Sequence, residues 1–261
     1  MSRPTVLITG ASSGIGLAFA RSLAADGQGL VLVARREGRL KEIADELAAA
    51  HGVAAEALVA DLTDAEDLAR VEARVAERDR PVDLLVNNAG FGTLGRFATL
   101  PIEDEEREIR LNVVALVRLT RAALGAMTAR GRGGIINVSS VASFQAGPYN
   151  ATYAATKAFV TSFTEAVGEE LRGTGVRVMA LCPGFTRTEF QEAANAEATS
   201  VPSLLWQDAQ AVVDTALRDL RRGTAISIPG IHNKMAAVLS QLAPRSLTRR
   251  VSGLAGRRLQ R

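Results

Sequence analysis

Tyr153 and Lys157 stand four residues apart in a stretch with helical spacing, so their side chains share one helix face. A free tyrosine titrates near pH ~10, too high for ready proton exchange in neutral water. A neighbouring ammonium favours the phenolate, so Lys157 is expected to lower the Tyr153 pKa and make it a usable acid and base. In isolation the same spacing would fit a solvated surface helix better. The surrounding Ala151, Ala154, Ala155 and Ala158 argue instead for a face pressed against a sheet or a partner. Ser140 lies thirteen residues before Tyr153, just past the apolar run Ile135–Val138. Ligand crevices of open α/β sheets lie beyond the carboxyl ends of strands, so a hydroxyl there is well placed. Ser139 competes for the same part. Asn112 interrupts an apolar stretch, where a buried amide must find partners and could simply satisfy a kink in the backbone.

A second cluster has phosphate-binding character. Gly10-Ala11-Ser12-Ser13-Gly14-Ile15-Gly16 follows the apolar run Thr5–Thr9 and opens a helical segment. Glycines there permit a tight turn and bring backbone N–H groups close to a pyrophosphate at a helix N-terminus. The spacing, G-x-x-x-G-x-G, differs from the G-x-G-x-x-G fingerprint, and a plain glycine-rich turn would also fit. After the second apolar run, Leu30–Val33, the chain reads Ala34-Arg35-Arg36, where an acid would hold an adenosine ribose hydroxyl. Two guanidiniums suit a 2′-phosphate instead, and the dipole at a helix start otherwise disfavours them. NADP(H) is therefore expected over NAD.

These residues need a scaffold that delivers them to one edge. Short apolar runs at Thr5–Thr9, Leu30–Val33, Ala57–Ala60, Leu84–Val86, Ile135–Val138, Val176–Leu181 and Ala225–Ile228 alternate with helical segments near 14–26, 36–50, 64–78, 104–130, 150–172 and 208–222. Seven strands separated by helices imply an α/β, doubly wound parallel sheet with helices on both faces. Residues 1–230 are expected to form one domain, and 231–261 a basic helical extension.

The glycine loop, Asn87-Asn88-Ala89-Gly90 after the fourth strand and Tyr153-Ala-Ala-Thr-Lys157, in this order, resemble the short-chain dehydrogenase/reductase family. The resemblance covers about residues 4–230 and implies a Rossmann-like, NADP-binding catalytic domain. It implies hydride transfer from NADPH to a carbonyl carbon, with Tyr153 donating the proton to oxygen. Lys157 would grip the nicotinamide ribose, Ser140 would hydrogen-bond the substrate oxygen as charge develops, and Asn112 would hold a relay water. Ser12, Ser13, Ile15, Asn87, Ala89 and Gly90 would line the dinucleotide. Asp61 and Leu62 would meet the adenine, although Asp61 or Thr63 could equally cap the next helix. Pro183, Gly184, Thr186 and Thr188 would run along the nicotinamide, Thr188 at its carboxamide.

Residues 185–206 read as an irregular lid over that site. Phe190 and Trp206 within it, with Phe91 and Phe144 from neighbouring loops, suggest an apolar carbonyl substrate such as a 3-oxoacyl chain or steroid-like ketone. These residues could equally pack the lid alone. The alternative function is a nucleotide-binding regulator or scaffold with little turnover.

At 261 residues, 47% apolar and 23% charged, the composition is that of a folded protein. One cysteine, Cys182, and two histidines leave no disulfide framework or histidine-rich metal site, so none is expected. No apolar run approaches the ~18 residues of a membrane span, and Val6–Ile8 passes straight into the glycine loop, unlike a signal peptide. A cytoplasmic homo-oligomer, dimer or tetramer, is expected, with a small-molecule carbonyl or alcohol as substrate and no nucleic acid. Net charge is +3, yet all 28 acids precede residue 220, and residues 231–261 carry seven Lys/Arg with no acid. Met235, Val238, Leu239 and Leu242 form one apolar stripe of this extension, and Leu247, Val251 and Leu254 another. Docking on the acidic body or a second subunit is the favoured fate, weak contact with an anionic membrane surface the other.

Overall fold

Val6 and Ile8 face one side of the first strand and Leu7 the other, and all three are fully buried. A strand covered on both faces needs no polar alternation, and that is why Thr5–Thr9 reads as an unbroken apolar run. The computed structural model describes residues 3–189 and 203–244, together with 246, 248–250 and 252–253 of the extension. Phe190 and the apolar residues Leu247, Val251 and Leu254 lie outside the described residues.

Seven strands form one sheet: β1 (Thr5–Thr9), β2 (Gly29–Ala34), β3 (Ala55–Val59), β4 (Leu84–Asn87), β5 (Gly133–Val138), β6 (Val176–Leu181) and β7 (Ile226–Ser227). Their order is β3-β2-β1-β4-β5-β6-β7, with every neighbouring pair parallel. Helices α1 (Gly14–Ala25), α2 (Glu37–His51) and α7 (Ala209–Arg221) cover the face that carries Val6 and Ile8. Helices α3 (Ala65–Ala76) and α5 (Leu116–Arg130) cover the Leu7 face, and α6 (Ala151–Glu170) packs on β5 and β6. Two apolar cores therefore sit back to back across the sheet.

The chain runs outward from β1 to β3 and returns to β4 on the other side of β1. Connections leaving β1 and β4 diverge there and open a crevice at their carboxyl ends. The glycine loop leaves β1 and Asn88–Gly90 leaves β4, so both border this crevice.

Three local expectations change. The long helix is not uniform: α4 (Ile102–Ile109) passes through a wide π-helical turn at Arg110–Ala115 before α5 begins. Asn112 sits in that turn, where such widenings commonly mark functional positions. The N-cap of α3 is Asp64, which accepts from the Glu66 and Asp67 N–H groups; neither Asp61 nor Thr63 caps it. Of the four alanines around Tyr153 only Ala154 is buried, while Ala151, Ala155 and Ala158 face outward. One helical stretch, 102–130, is apolar and long enough to cross a membrane by length and composition. Its packing against α3, α6 and the sheet makes it a core helix.

Candidate active site

Lys157 is 4% exposed, and its ammonium donates to the Val138 carbonyl at 2.8 Å. Ser139 fixes the helix there, donating to the Lys157 carbonyl at 2.8 Å and sharing a hydrogen bond with Thr161. The two neighbouring serines are thus separated by geometry. Ser139 is turned into α6, whereas Ser140 acts on Tyr153, favouring its ionised form, and accepts the Ala142 N–H at 3.1 Å.

Burial pulls the Lys157 pKa down to about 8, with the Glu108 carboxylate opposing it. Burial pushes Tyr153 up to about 12, and the Ser140 hydrogen bond only partly offsets this. This corrects the expectation that Lys157 lowers the tyrosine pKa. The ammonium lies 5.6 Å from the centre of the Tyr153 ring, and desolvation of the phenolate outweighs it. Tyr153 therefore carries its proton at neutral pH, but burial makes it a weaker acid than a free tyrosine.

Asn112 is almost fully buried. Its side-chain oxygen accepts the Phe91 N–H at 3.2 Å, and its amide donates to the Phe91 carbonyl at 2.8 Å and to Thr156 at 3.2 Å. The side chain therefore clamps the backbone of the loop after β4. Gly90 is squeezed between this amide and Lys157: a Cβ there would stand 2.9 Å from Asn112 Oδ1 and 3.4 Å from Lys157 Nζ.

The crevice fits a dinucleotide at the β1 end. Gly10 and Gly14 take positive φ angles of 66° and 54°, and a Cβ on Gly16 would strike the Gly10 carbonyl at 2.3 Å. Helix α1 begins with no side-chain cap and no acid in its first turn, whereas Asp64 and Asp208 cap α3 and α7. Its N-terminus is left open to an anion. Arg36 reaches over the loop, donating to the Ser12 carbonyl at 3.4 Å and to the Ser12 hydroxyl at 3.3 Å, and pairs with Glu189 at 3.0 Å. Arg35 is 3.8 Å from Asp61, so the second guanidinium stands beside the residue matched to the adenine. Leu62 is buried next to it.

The Asn87-Asn88 pair divides its work in a way the sequence leaves hidden. Asn87 turns inward, donating to Thr120 at 3.1 Å and Asn137 at 2.9 Å, so toward the crevice it has only backbone to offer. Asn88 locks the glycine loop. Its amide donates to the Thr9 and Gly10 carbonyls at 2.9 and 3.3 Å, while Thr9 Oγ1 receives the Asn88 and Ala89 N–H groups. The repeated asparagine was the available signal.

Beyond β6, Thr186 is buried, donates to the Gly184 carbonyl and bridges to Gln207. Thr188 packs over Gly14, where an added Cβ would stand 3.0 Å from it, which joins the segment after Pro183 to the glycine loop. Phe185 and Trp206 pack at 5.7 Å between ring centres. Phe91 and Phe144 are half-buried. Cys182 is buried and free, its thiol pushed up by burial.

A family model described as short chain dehydrogenase matches residues 4–199. Ketoacyl reductase HetN of Nostoc sp. is 35% identical over 181 residues, 69% of this chain and 63% of that protein. The chain spans 60% and 63% of the length of the first two curated relatives it matches. A short-chain dehydrogenase from Sphingobium yanoikuyae in complex with NADPH is 40% identical, with a TM-score of 0.84 over 97% of this chain and 95% of that one. The bulky-bulky ketone specific alcohol dehydrogenase from Comamonas testosteroni is 33% identical, with a TM-score of 0.80 over 94% of this chain and 97% of that one. A seven-stranded Rossmann-like sheet, this motif set and these relatives converge: the chain belongs to the short-chain dehydrogenase family of oxidoreductases.

Proposed function

We propose that the protein is an NADP(H)-dependent carbonyl reductase in which Tyr153 gives the proton and Ser140 steadies the developing oxyanion. The observation that carries this reading is the juxtaposition of Ser140, the Tyr153 ring and the buried Lys157 ammonium, 5.6 Å from the ring centre. When bound, the nicotinamide group supplies or accepts the hydride. The chain's own part is the proton. Tyr153, protonated at neutral pH, hands it to the carbonyl oxygen, while Ser140 donates a hydrogen bond to the same oxygen. Lys157 keeps positive charge beside the ring, and Asn112 holds the neighbouring loop in register.

The preference for NADP(H) rests on Arg36, whose guanidinium spans the glycine loop, and on Arg35 beside it. Gly10, Gly14 and Gly16, with Ser12, Ser13 and Ile15, would cradle the pyrophosphate, and Pro183, Gly184, Thr186 and Thr188 would flank the nicotinamide. An apolar ketone is the favoured substrate, since Phe91, Phe144 and Trp206 stand among the loops at this end of the sheet. The two named neighbours, acting on a bulky ketone and a ketoacyl group, support the class. The regulator alternative would leave the Ser140–Tyr153–Lys157 arrangement without a purpose. A cytoplasmic location remains part of this reading.

The extension takes a further part in it. Helix α8 (Ile231–Leu242) is anchored by Asn233, which donates to Gln207 and to the Pro229 carbonyl, both at 2.8 Å. Its stripe, Ile231, Met235, Val238, Leu239 and Leu242, is 53–79% exposed, so the described residues do not cover it. We assign the cover to a second copy of this chain, whose acidic body complements a basic extension. Phe159, exposed and stacked on Phe163 beside outward-facing alanines, offers a further apolar contact.

Fluorescence titration should give NADPH at least about tenfold tighter binding than NADH, roughly 1.4 kcal/mol, and Arg36→Ala should abolish most of that difference. Equal affinities in the parent chain would remove the arginine argument.

Tyr153→Phe keeps the ring and loses the proton. Its kcat on any accepted ketone should fall by about 10²–10⁴ while NADPH affinity holds, and near-normal turnover would contradict the assigned role.

Truncation after Gly230 should change the oligomeric mass measured by light scattering. Unchanged mass, together with salt-sensitive vesicle co-sedimentation of the full chain alone, would transfer the stripe to an anionic membrane.

A further inference from the structure

The most deeply buried acids among the described residues have no part in the chemistry above. Most of the acid-rich start of α4 faces water, but Glu105 and Glu108 turn inward and are 3% and 0% exposed. Both meet Thr93 in the loop after β4. Thr93 Oγ1 lies 2.6 Å from Glu105 Oε1 and 3.0 Å from Glu108 Oε2, and the Thr93 N–H donates to Glu108 Oε2 at 2.9 Å.

A hydroxyl has one hydrogen to give. The shorter contact takes it to Glu105, which also accepts a hydrogen bond from Thr152. The remaining contact, between Thr93 Oγ1 and Glu108, is then attractive only when Glu108 brings a hydrogen of its own. Glu108 Oε1 is buried with no hydrogen-bond partner, a position far costlier for a carboxylate than for a neutral acid. Burial is also the main reason the Glu108 carboxyl is pushed up to about 7, and the Glu105 charge adds to it.

The residues around Thr93 say what this holds. A Cβ on Gly92 would meet the Tyr153 ring at 2.8 Å, so this loop is the wall of that ring. Asn150 donates to the Thr93 carbonyl at 2.9 Å, and the Gly95 N–H donates to the Tyr149 carbonyl at 2.8 Å. Tyr149 has a φ of 69°, the one positive value outside glycine among the described residues, so the start of α6 is strained where the loop ties to it.

We propose that Glu108 holds a proton shared with the Thr93 hydroxyl, whose own hydrogen goes to Glu105, and that this pair of acids positions residues 91–95 against the ring of Tyr153. The positioning half rests on the reading of Tyr153 as proton donor; the proton-sharing half does not. The charged and titratable groups facing Glu108 are Glu105 from its own helix and Tyr153 and Lys157 from α6. Residues 88–95 carry no ionisable side chain. Glu105 disfavours ionisation of Glu108 and Lys157 favours it. Because the folded chain holds this proton more tightly than an ordinary carboxyl with a pKa of 4.5, the stability it confers is full below that value. It is lost as pH rises to about 7.

The test uses the full chain with Glu108→Gln, a permanently neutral isostere, and Glu108→Ala. Infrared difference spectra should contain a protonated-carboxyl stretch at pH 6 in the parent chain that is missing from Glu108→Gln, and it should fade as pH passes about 7. The melting temperature of the parent chain, relative to Glu108→Gln, should fall between pH 5 and 8. Identical spectra at pH 6, or a melting difference that ignores pH, would overturn the shared proton. At pH 6 Glu108→Ala should lose about tenfold or more in kcat, with the KM for NADPH little changed, and Glu108→Gln should recover most of it. Glu108→Ala with normal kcat would overturn the positioning role. Should the parent chain reduce no carbonyl, the reductase reading fails, and the infrared and melting results still decide the shared proton.

Discussion

A positive charge is buried beside the Tyr153 ring, and the rest of the site depends on keeping it there. Removing an ammonium from water is costly unless hydrogen bonds replace the solvent, and for Lys157 the Val138 carbonyl is the replacement. That bond requires α6 to lie close along β5, and Ser139 and Thr161 secure the approach. Asn137 extends the same seam, donating to Thr164 on α6 at 3.0 Å and accepting from Asn87 on β4. Polar groups this deep are satisfied only if β4, β5 and α6 keep one register, so the network specifies the arrangement that carries Tyr153.

The loops around this seam are fixed by backbone clamps. Asn88 closes the glycine loop onto β4, and Asn112 closes the Phe91 backbone onto the π-helical turn. A regular helix through Arg110–Ala115 would rotate later residues relative to earlier ones and move Asn112 away from either Phe91 or Thr156. The sheet's switch point between β1 and β4 then sets where these clamped loops meet. The crevice between β1 and β4 and Tyr153 come to the same end of the sheet because adjacent parallel strands end at one edge.

Much of this was legible beforehand, because fully buried strands write themselves as apolar runs and glycines stand where no Cβ fits. Strand β3 begins at Ala55, ahead of the apolar run Ala57–Ala60, since half-buried β3 at the sheet edge lacks a sharp apolar boundary. Among Asp61, Thr63 and Asp64, three adjacent cap formers, only the backbone angles at Asp64 decide the cap. The π-helical turn left no mark because its residues suit an ordinary helix. The direction of the Tyr153 pKa is not legible in spacing, which reveals a neighbouring charge but not the desolvation that competes with it. Amphipathic periodicity in α8 correctly gave a stripe, while periodicity carries no information on what covers it. Glu105 and Glu108 were hidden in an acidic segment whose other members are solvated.

Lys157 offers the most direct measurement, because the chain has three lysines, the others being Lys41 and Lys234. Lys41 is exposed and its pKa is raised by hydrogen bonding to Glu37, so it serves as an internal reference. Nuclear magnetic resonance titration of the full chain with nitrogen-15 in its lysine side chains follows all three at once. The buried-charge account predicts one resonance, removed by Lys157→Met, that titrates near about 8, well below that of Lys41. A Lys157 resonance that titrates together with Lys41 would contradict it.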